Sequence, residues 1–150
     1  IGVRLVGSEM CIRDRSMKLG FSIPINTFGP GLAIVHYGTI VVAKGATIGA
    51  NCRIHEGVTI GATNGSSRAA TIGDNVFIGS GAKIIGDVTI SSNVAVAANA
   101  VVVNDIICEN GCTVGGVPAK IISSNNSSQN IYFLRNENTS DTPFLGRRGR

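Results

Sequence analysis

The chain has 150 residues, 43% of them hydrophobic but only 5% aromatic, with no tryptophan; that is one domain's worth of material, short of the large rings a layered α/β core uses. Its formal charge of +4 divides unevenly, because six basic residues face five acidic ones between Lys18 and Lys120, so the excess lies in the flanks and argues against a nucleic-acid surface. No apolar stretch approaches the ~20 residues of a membrane-spanning helix and no signal peptide is visible, which makes the cytoplasm the expected compartment.

The string Val6-Gly7-Ser8-Glu9-Met10-Cys11-Ile12-Arg13-Asp14-Arg15 fits no repeat and carries mixed charge. It resembles a translated sequencing adapter, so residues 1–16 are expected to be a non-native or disordered leader, with residues 17–122 as the folded domain. From Ile48 onward an aliphatic residue recurs every sixth position: Ile48, Ile54, Ile60, Ile72, Ile78, Ile84, Ile90, Val96, Val102, Cys108 and Val114, with one skipped beat before Ile72. A period of six matches neither a helix nor a half-buried strand, whose repeats are about 3.6 and 2; it belongs to a solenoid.

Four residues after the beat stands a second small or β-branched apolar residue, at Cys52, Val58, Val76, Ala82, Val88, Val94, Ala100, Ile106 and Cys112, with Asn64 and Pro118 as exceptions. The residue just before it is Gly, Asn or Asp, as at Asn51, Gly57, Asn75, Gly81, Asp87, Asn93, Asn99, Asp105 and Gly111. These residue types accept positive φ, so each hexad reads as one short strand and one sharp corner. Three such faces close a triangular prism of parallel strands; thirteen hexads between His36 and Ala119 make a little over four coils once residues 66–71 are set aside. Cys52, Cys108 and Cys112 fall on inward beats and read as small core residues of a reducing compartment. After Ile122 the chain turns polar, with Ser123-Ser124-Asn125-Asn126-Ser127-Ser128-Gln129-Asn130, and residues 123–150 are expected to be a disordered tail. Within it, residues 131–134 are a candidate for docking on a neighbouring subunit.

The period, the corners and the closing Gly115-Gly116-Val117-Pro118-Ala119-Lys120-Ile121-Ile122 resemble the hexapeptide-repeat acyltransferases. The run Gly29-Pro30-Gly31-Leu32-Ala33-Ile34-Val35-His36-Tyr37-Gly38-Thr39-Ile40-Val41-Val42, with Gly57-Val58-Thr59-Ile60-Gly61-Ala62-Thr63, is similar to the serine acetyltransferase branch. The resemblance implies an all-β, left-handed parallel β-helix, a homotrimer, and acetyl-CoA as co-substrate for acetyl transfer to a small-molecule hydroxyl. L-Serine is the expected acceptor, giving O-acetylserine for cysteine biosynthesis.

O-acetyl transfer needs a base for the hydroxyl proton and a donor for the tetrahedral oxyanion, and a histidine, with its ordinary pKa near 6.5, suits the first task. The chain has two histidines. His36 matches the family's first active-site segment and is the expected general base. His55 follows an inward beat and should face outward; with Glu56 beside it, the pair is a candidate for substrate binding. The skipped beat marks an extruded loop, Asn64-Gly65-Ser66-Ser67-Arg68-Ala69-Ala70, and the resemblance gives Arg68 the substrate carboxylate. By the same matching, Ala62, Thr63, Ser80 and Ala98 line the coenzyme A groove, where small side chains admit the ligand to the main chain, and Lys120 meets a phosphate.

The sequence departs from the family in several places: His36-Tyr37-Gly38 is one residue shorter than the family's His-x-x-Gly, Ala69 replaces a second histidine after the loop Arg, Val35 the Asp before the first histidine, and the upstream Asp falls near Phe21. These departures favour a rival reading with a sugar hydroxyl as acceptor, as in capsule or lipopolysaccharide modification. A γ-type carbonic anhydrase needs three histidines for its zinc, so no metal is expected. A non-catalytic structural β-helix is the reading of a different class, and needs neither the loop nor His36.

Overall fold

Residues 18–131 are described in the computed structural model. Each hexad places two apolar side chains inward with one outward residue between them, as in Val58-Thr59-Ile60, whose outer members are fully buried. Such a unit is too short for more than two or three strand residues before the next corner. The strands are β1 (Phe21–Ser22), β2 (Ala33–Ile34), β3 (Ile40–Val42), β4 (Thr47–Ile48), β5 (Arg53–Ile54), β6 (Thr59–Gly61), β7 (Thr71–Ile72), β8 (Phe77–Ile78), β9 (Lys83–Ile85), β10 (Thr89–Ile90), β11 (Ala95–Val96), β12 (Val101–Val102), β13 (Thr113–Gly115) and β14 (Lys120–Ser123).

They form three faces, visited in rotation. The first is β1-β3-β6-β9-β12, the second β4-β7-β10, and the third β2-β5-β8-β11-β13, with β14 added antiparallel at its end. Parallel bridges from Phe28 to Ile48 and from Ile90 to Ile106 extend the second face at both ends. The result is a left-handed parallel β-helix. A regular turn takes 18 residues, the separation of the paired Asn75 and Asn93, and the turn holding the skipped beat takes 24, the separation of Asn51 and Asn75. The stack begins one coil earlier than the regular spacing shows, because Phe21, Phe28 and Ile34 build a first coil of irregular length.

Every beat from Ile48 to Val114 is at most 2% exposed except Cys108, which packs against the core from its rim. Burying one such aliphatic side chain contributes about 1.5–3 kcal/mol. Seven of the nine expected corner residues have positive φ: Asn51, Gly57, Asn75, Gly81, Asn93, Asn99 and Gly111. The two aspartates differ. Gly86 takes the left-handed conformation in place of Asp87 (φ 98°), and the Asp105 carboxylate instead accepts the backbone N–H of Thr89 at 2.7 Å. At one corner the asparagines stack, Asn51 Nδ2 donating to Asn75 Oδ1 (3.0 Å) and Asn75 Nδ2 to Asn93 Oδ1 (3.1 Å), so each amide satisfies the coil below.

Three expectations change. The loop begins and ends differently from its sequence reading: residues 63–68 are exposed, while Ala69 and Ala70 are 2% and 0% exposed, because Ala70 occupies the inward position two residues before Ile72. The sulfurs of Cys108 and Cys112 are bonded to one another, leaving Cys52 as the buried free thiol among the described residues. The polar stretch from Ser123 carries contacts up to Ile131: Ser127–Asn130 form a 3-10 turn capped by Asn126, Ser127 N–H donates to Asn93 O, the Ser127 hydroxyl donates to Asn75 O, Arg53 Nη1 donates to Asn130 O at 2.9 Å, and Ile131 is buried. Its serines and asparagines satisfy backbone groups along the asparagine stack, which a reading of composition does not reveal. The expected leader and residues 132–150 lie outside the described residues.

Candidate active site

The site grows from an irregularity. Ile34 pairs with Ile54 and Val42 with Ile60; the corner between β2 and β3 therefore holds two more residues than the one stacked on it between β5 and β6. This excess pushes His36 and Tyr37 into solvent, both exposed, before Ile40 returns to the core. Gly38 lets the excess fold flat: its φ is 147°, and a Cβ there would lie 2.8 Å from the Cβ of Glu56. The Thr39 carbonyl then accepts the N–H of Gly57 at 2.8 Å, locking the corner to the coil below.

His55 and Glu56 occupy the same corner one coil on, after β5. The His55 ring is more covered than an outward position suggests, its side chain 18% exposed. It meets the Phe77 ring edge-on at 5.2 Å and the His36 ring at 5.7 Å. Phe77 is the residue after the coil's full turn from Arg53, a neighbour the linear sequence hides. His55 Nδ1 lies 3.9 Å from Glu56 Oε2. Burial, and then the positive charge of Arg53, hold the His55 imidazole below its usual range, with Glu56 opposing. The Glu56 carboxyl is also lowered, first by its own backbone N–H and then by the Ser80 hydroxyl. Glu56 therefore stands as a carboxylate beside a neutral His55.

His36, His55 and Glu56 thus meet at one corner, and one nitrogen or oxygen of each lies within 4.8 Å of the other two. His55 Nε2 and Glu56 Oε2 are buried with no hydrogen-bond partner among the described residues. Ser80 and Ala98 continue this corner down the stack, after β8 and β11. Ser80 serves Glu56, a contact that matching to a coenzyme groove did not suggest. Beside them the column of Gly79, Ala97 and Gly115 keeps the main chain close to the surface: a Cβ on Gly79 would lie 2.7 Å from Ala98 N.

The other expected residues stand elsewhere. Ala62, Thr63 and Arg68 belong to the corner between β6 and β7, on a different edge of the prism. There the loop folds back over Gly45, and Ala43, Lys44, Gly45, Ala62, Ser66 and Ser67 line a cleft of ≈ 350 Å³. Arg68 Nη1 is 3.6 Å from Asp87 Oδ2, both side chains well exposed, a pairing worth little in water. Lys120 is exposed on β14. Within one chain the His36 corner and the loop corner therefore stand apart, on different edges of the prism. No helix among the described residues is long and apolar enough to cross a membrane.

Known proteins are similar to this chain in sequence and in fold. The family pattern described as bacterial transferase hexapeptide (six repeats) matches residues 69–104. The serine acetyltransferase of Synechococcus elongatus is 38% identical over 96 residues, 63% of this chain and 38% of that protein. Among solved structures, serine acetyltransferase from Neisseria gonorrhoeae in complex with serine is 39% identical with a TM-score of 0.57, covering 67% of this chain and 39% of that one. The Brucella abortus enzyme in complex with coenzyme A is 34% identical with a TM-score of 0.61, covering 71% and 41%. The chain spans about two fifths of the length of these relatives. Its coil stack is similar to the β-helical part of serine acetyltransferases and carries the bacterial transferase hexapeptide repeat over residues 69–104.

Proposed function

We propose that this chain carries the catalytic coil of an acetyl-CoA-dependent O-acetyltransferase whose acceptor is the L-serine hydroxyl, acting in cysteine biosynthesis in the cytoplasm. The observation that carries the reading is the corner itself: an exposed imidazole raised on a two-residue excess, beside a half-buried histidine and a carboxylate, in a coil similar to enzymes solved with serine and with coenzyme A. His36 takes the acceptor's hydroxyl proton as that oxygen attacks the thioester carbonyl. The tetrahedral oxyanion is met by a main-chain N–H. Its collapse breaks the C–S bond, and the thiolate of coenzyme A takes the proton back from His36.

A homotrimer completes the site. Packing the loop corner of one copy against the His36 corner of the next would bring Arg68, Ala62 and Thr63 to His36, Ser80 and Ala98, with Lys120 at the far end for a phosphate. The pantetheine arm would then lie along Ala97 and Gly115, where the absence of bulky side chains leaves main-chain groups within reach.

Acetylation of a sugar hydroxyl is the second reading, and one observation favours it: the Arg68 guanidinium faces Asp87 rather than an open pocket. Release of coenzyme A with L-serine and with a panel of sugars, products identified by mass, tests both. Serine-dependent release supports the first reading and sugar-dependent release the second. Release that no acceptor increases, together with no heat on titrating coenzyme A, would leave only a structural β-helix.

A further inference from the structure

We propose that His36, His55 and Glu56 form a binding site for a divalent transition-metal ion of the zinc class, and that filling it withholds His36 from proton transfer. The first half stands on geometry alone; the second rests on the acyl-transfer reading. Two imidazoles and one carboxylate are a donor set that zinc, cobalt and nickel accept. The donor atoms lie within 4.8 Å of one another, whereas tetrahedral ligands at ~2.1 Å from zinc sit about 3.4 Å apart. Closing that gap would fall to His36, the exposed member, which stands on the corner's two-residue excess.

The other two are held in place. Phe77 abuts the His55 ring, and the Ser80 hydroxyl binds the Glu56 carboxylate, the kind of outer contact that orients metal ligands. A second observation is independent of the spacing: His55 Nε2 and Glu56 Oε2 are both buried and unmatched among the described residues, and buried polar atoms without partners are rare unless a water or ion serves them. Three protein donors leave the fourth position of a tetrahedron open. Counting histidines in the sequence excluded a three-histidine zinc site, but does not address a site in which a carboxylate is the third donor.

The test uses the full chain without a histidine tag, stripped with chelator, and titrated with Co²⁺ while the visible ligand-field bands are recorded. The expected result is one saturable Co²⁺ per chain, displaced by Zn²⁺, with affinity weakened at least about tenfold in both His55→Ala and Glu56→Gln. Glu56→Gln keeps the side-chain shape, and circular dichroism confirms that each variant is folded. No saturable binding by the parent, or undiminished binding by both folded variants, would overturn the site. In parallel, Zn²⁺ should suppress coenzyme A release and chelator should restore it. Binding with undiminished turnover would overturn the silencing role. If the stripped protein is inactive yet binds Co²⁺, the acyl-transfer reading fails and the metal site stands.

Discussion

Gly38 is where the fold and the proposed chemistry meet, and Gly38→Ala tests that connection. The residue has φ 147°, and an added Cβ would lie 2.8 Å from Glu56 Cβ, about 0.6 Å inside the closest ordinary contact. Holding a non-glycine residue in such a conformation costs of order 1–3 kcal/mol, and the clash adds to it because the Glu56 backbone is tied to the corner above through Gly57 N–H and Thr39 O. At about 2 kcal/mol the melting temperature falls by roughly 4–8 °C for a chain of this size. The corner must open to admit the methyl, moving His36 relative to Glu56 by a large fraction of an ångström. A misplacement of about 1 Å costs roughly 10²-fold in rate. Thermal melts by circular dichroism and acetyl-CoA consumption at saturating acceptor measure the two effects. Parent-like melting and turnover in Gly38→Ala would refute the claim that this corner's geometry positions the base.

The core and corners make further claims. Ile78→Ala removes a fully buried side chain from the middle of the third face and should cost about 2–5 kcal/mol by urea unfolding; a loss under about 1 kcal/mol would contradict a close-packed prism. Asn75 has φ 54° and both donates and accepts in the asparagine stack, so Asn75→Ala should destabilise by about 2–3 kcal/mol and Asn75→Gly, which tolerates the conformation, by about 1 less; the reverse order would count against the corner reading. The Cys52 thiol, pushed up to about 12 by burial, should stay unlabelled by iodoacetamide at pH 8 until urea is added. Labelling at the rate of a free thiol would place it outside the core.

Much of the coil was legible because a repeat writes itself many times. The beats, the second inward positions and seven corners each follow from side-chain size or tolerance of positive φ, and the structure buries or bends the chain there. The first coil was hidden because Phe21, Phe28 and Ile34 keep uneven spacing and two of its inward residues are aromatic. The skipped beat pointed to a loop, but Ala70 rather than Asn64 holds the inward place, since the six extra residues enter ahead of it. His36 was named through its motif. His55, Glu56 and Ser80 were named too, but the contacts among them and the Phe77 ring were not, since Glu56 reaches Ser80, and Arg53 pairs with Phe77, only after a turn of 24 residues. Such contacts become readable once the coil length is known. That Arg68 stands on a different edge from His36 follows from the order of faces, which period alone does not give.

The central claim is that His36 is the base of an acyl transfer, and the most direct test is acceptor-dependent release of coenzyme A from acetyl-CoA by the parent chain and by His36→Ala under chelating conditions. The expected result is L-serine-dependent release by the parent, lowered about 10²–10⁴-fold in the variant with its melting temperature preserved. Equal rates in the two proteins would remove His36 from the mechanism and contradict the account.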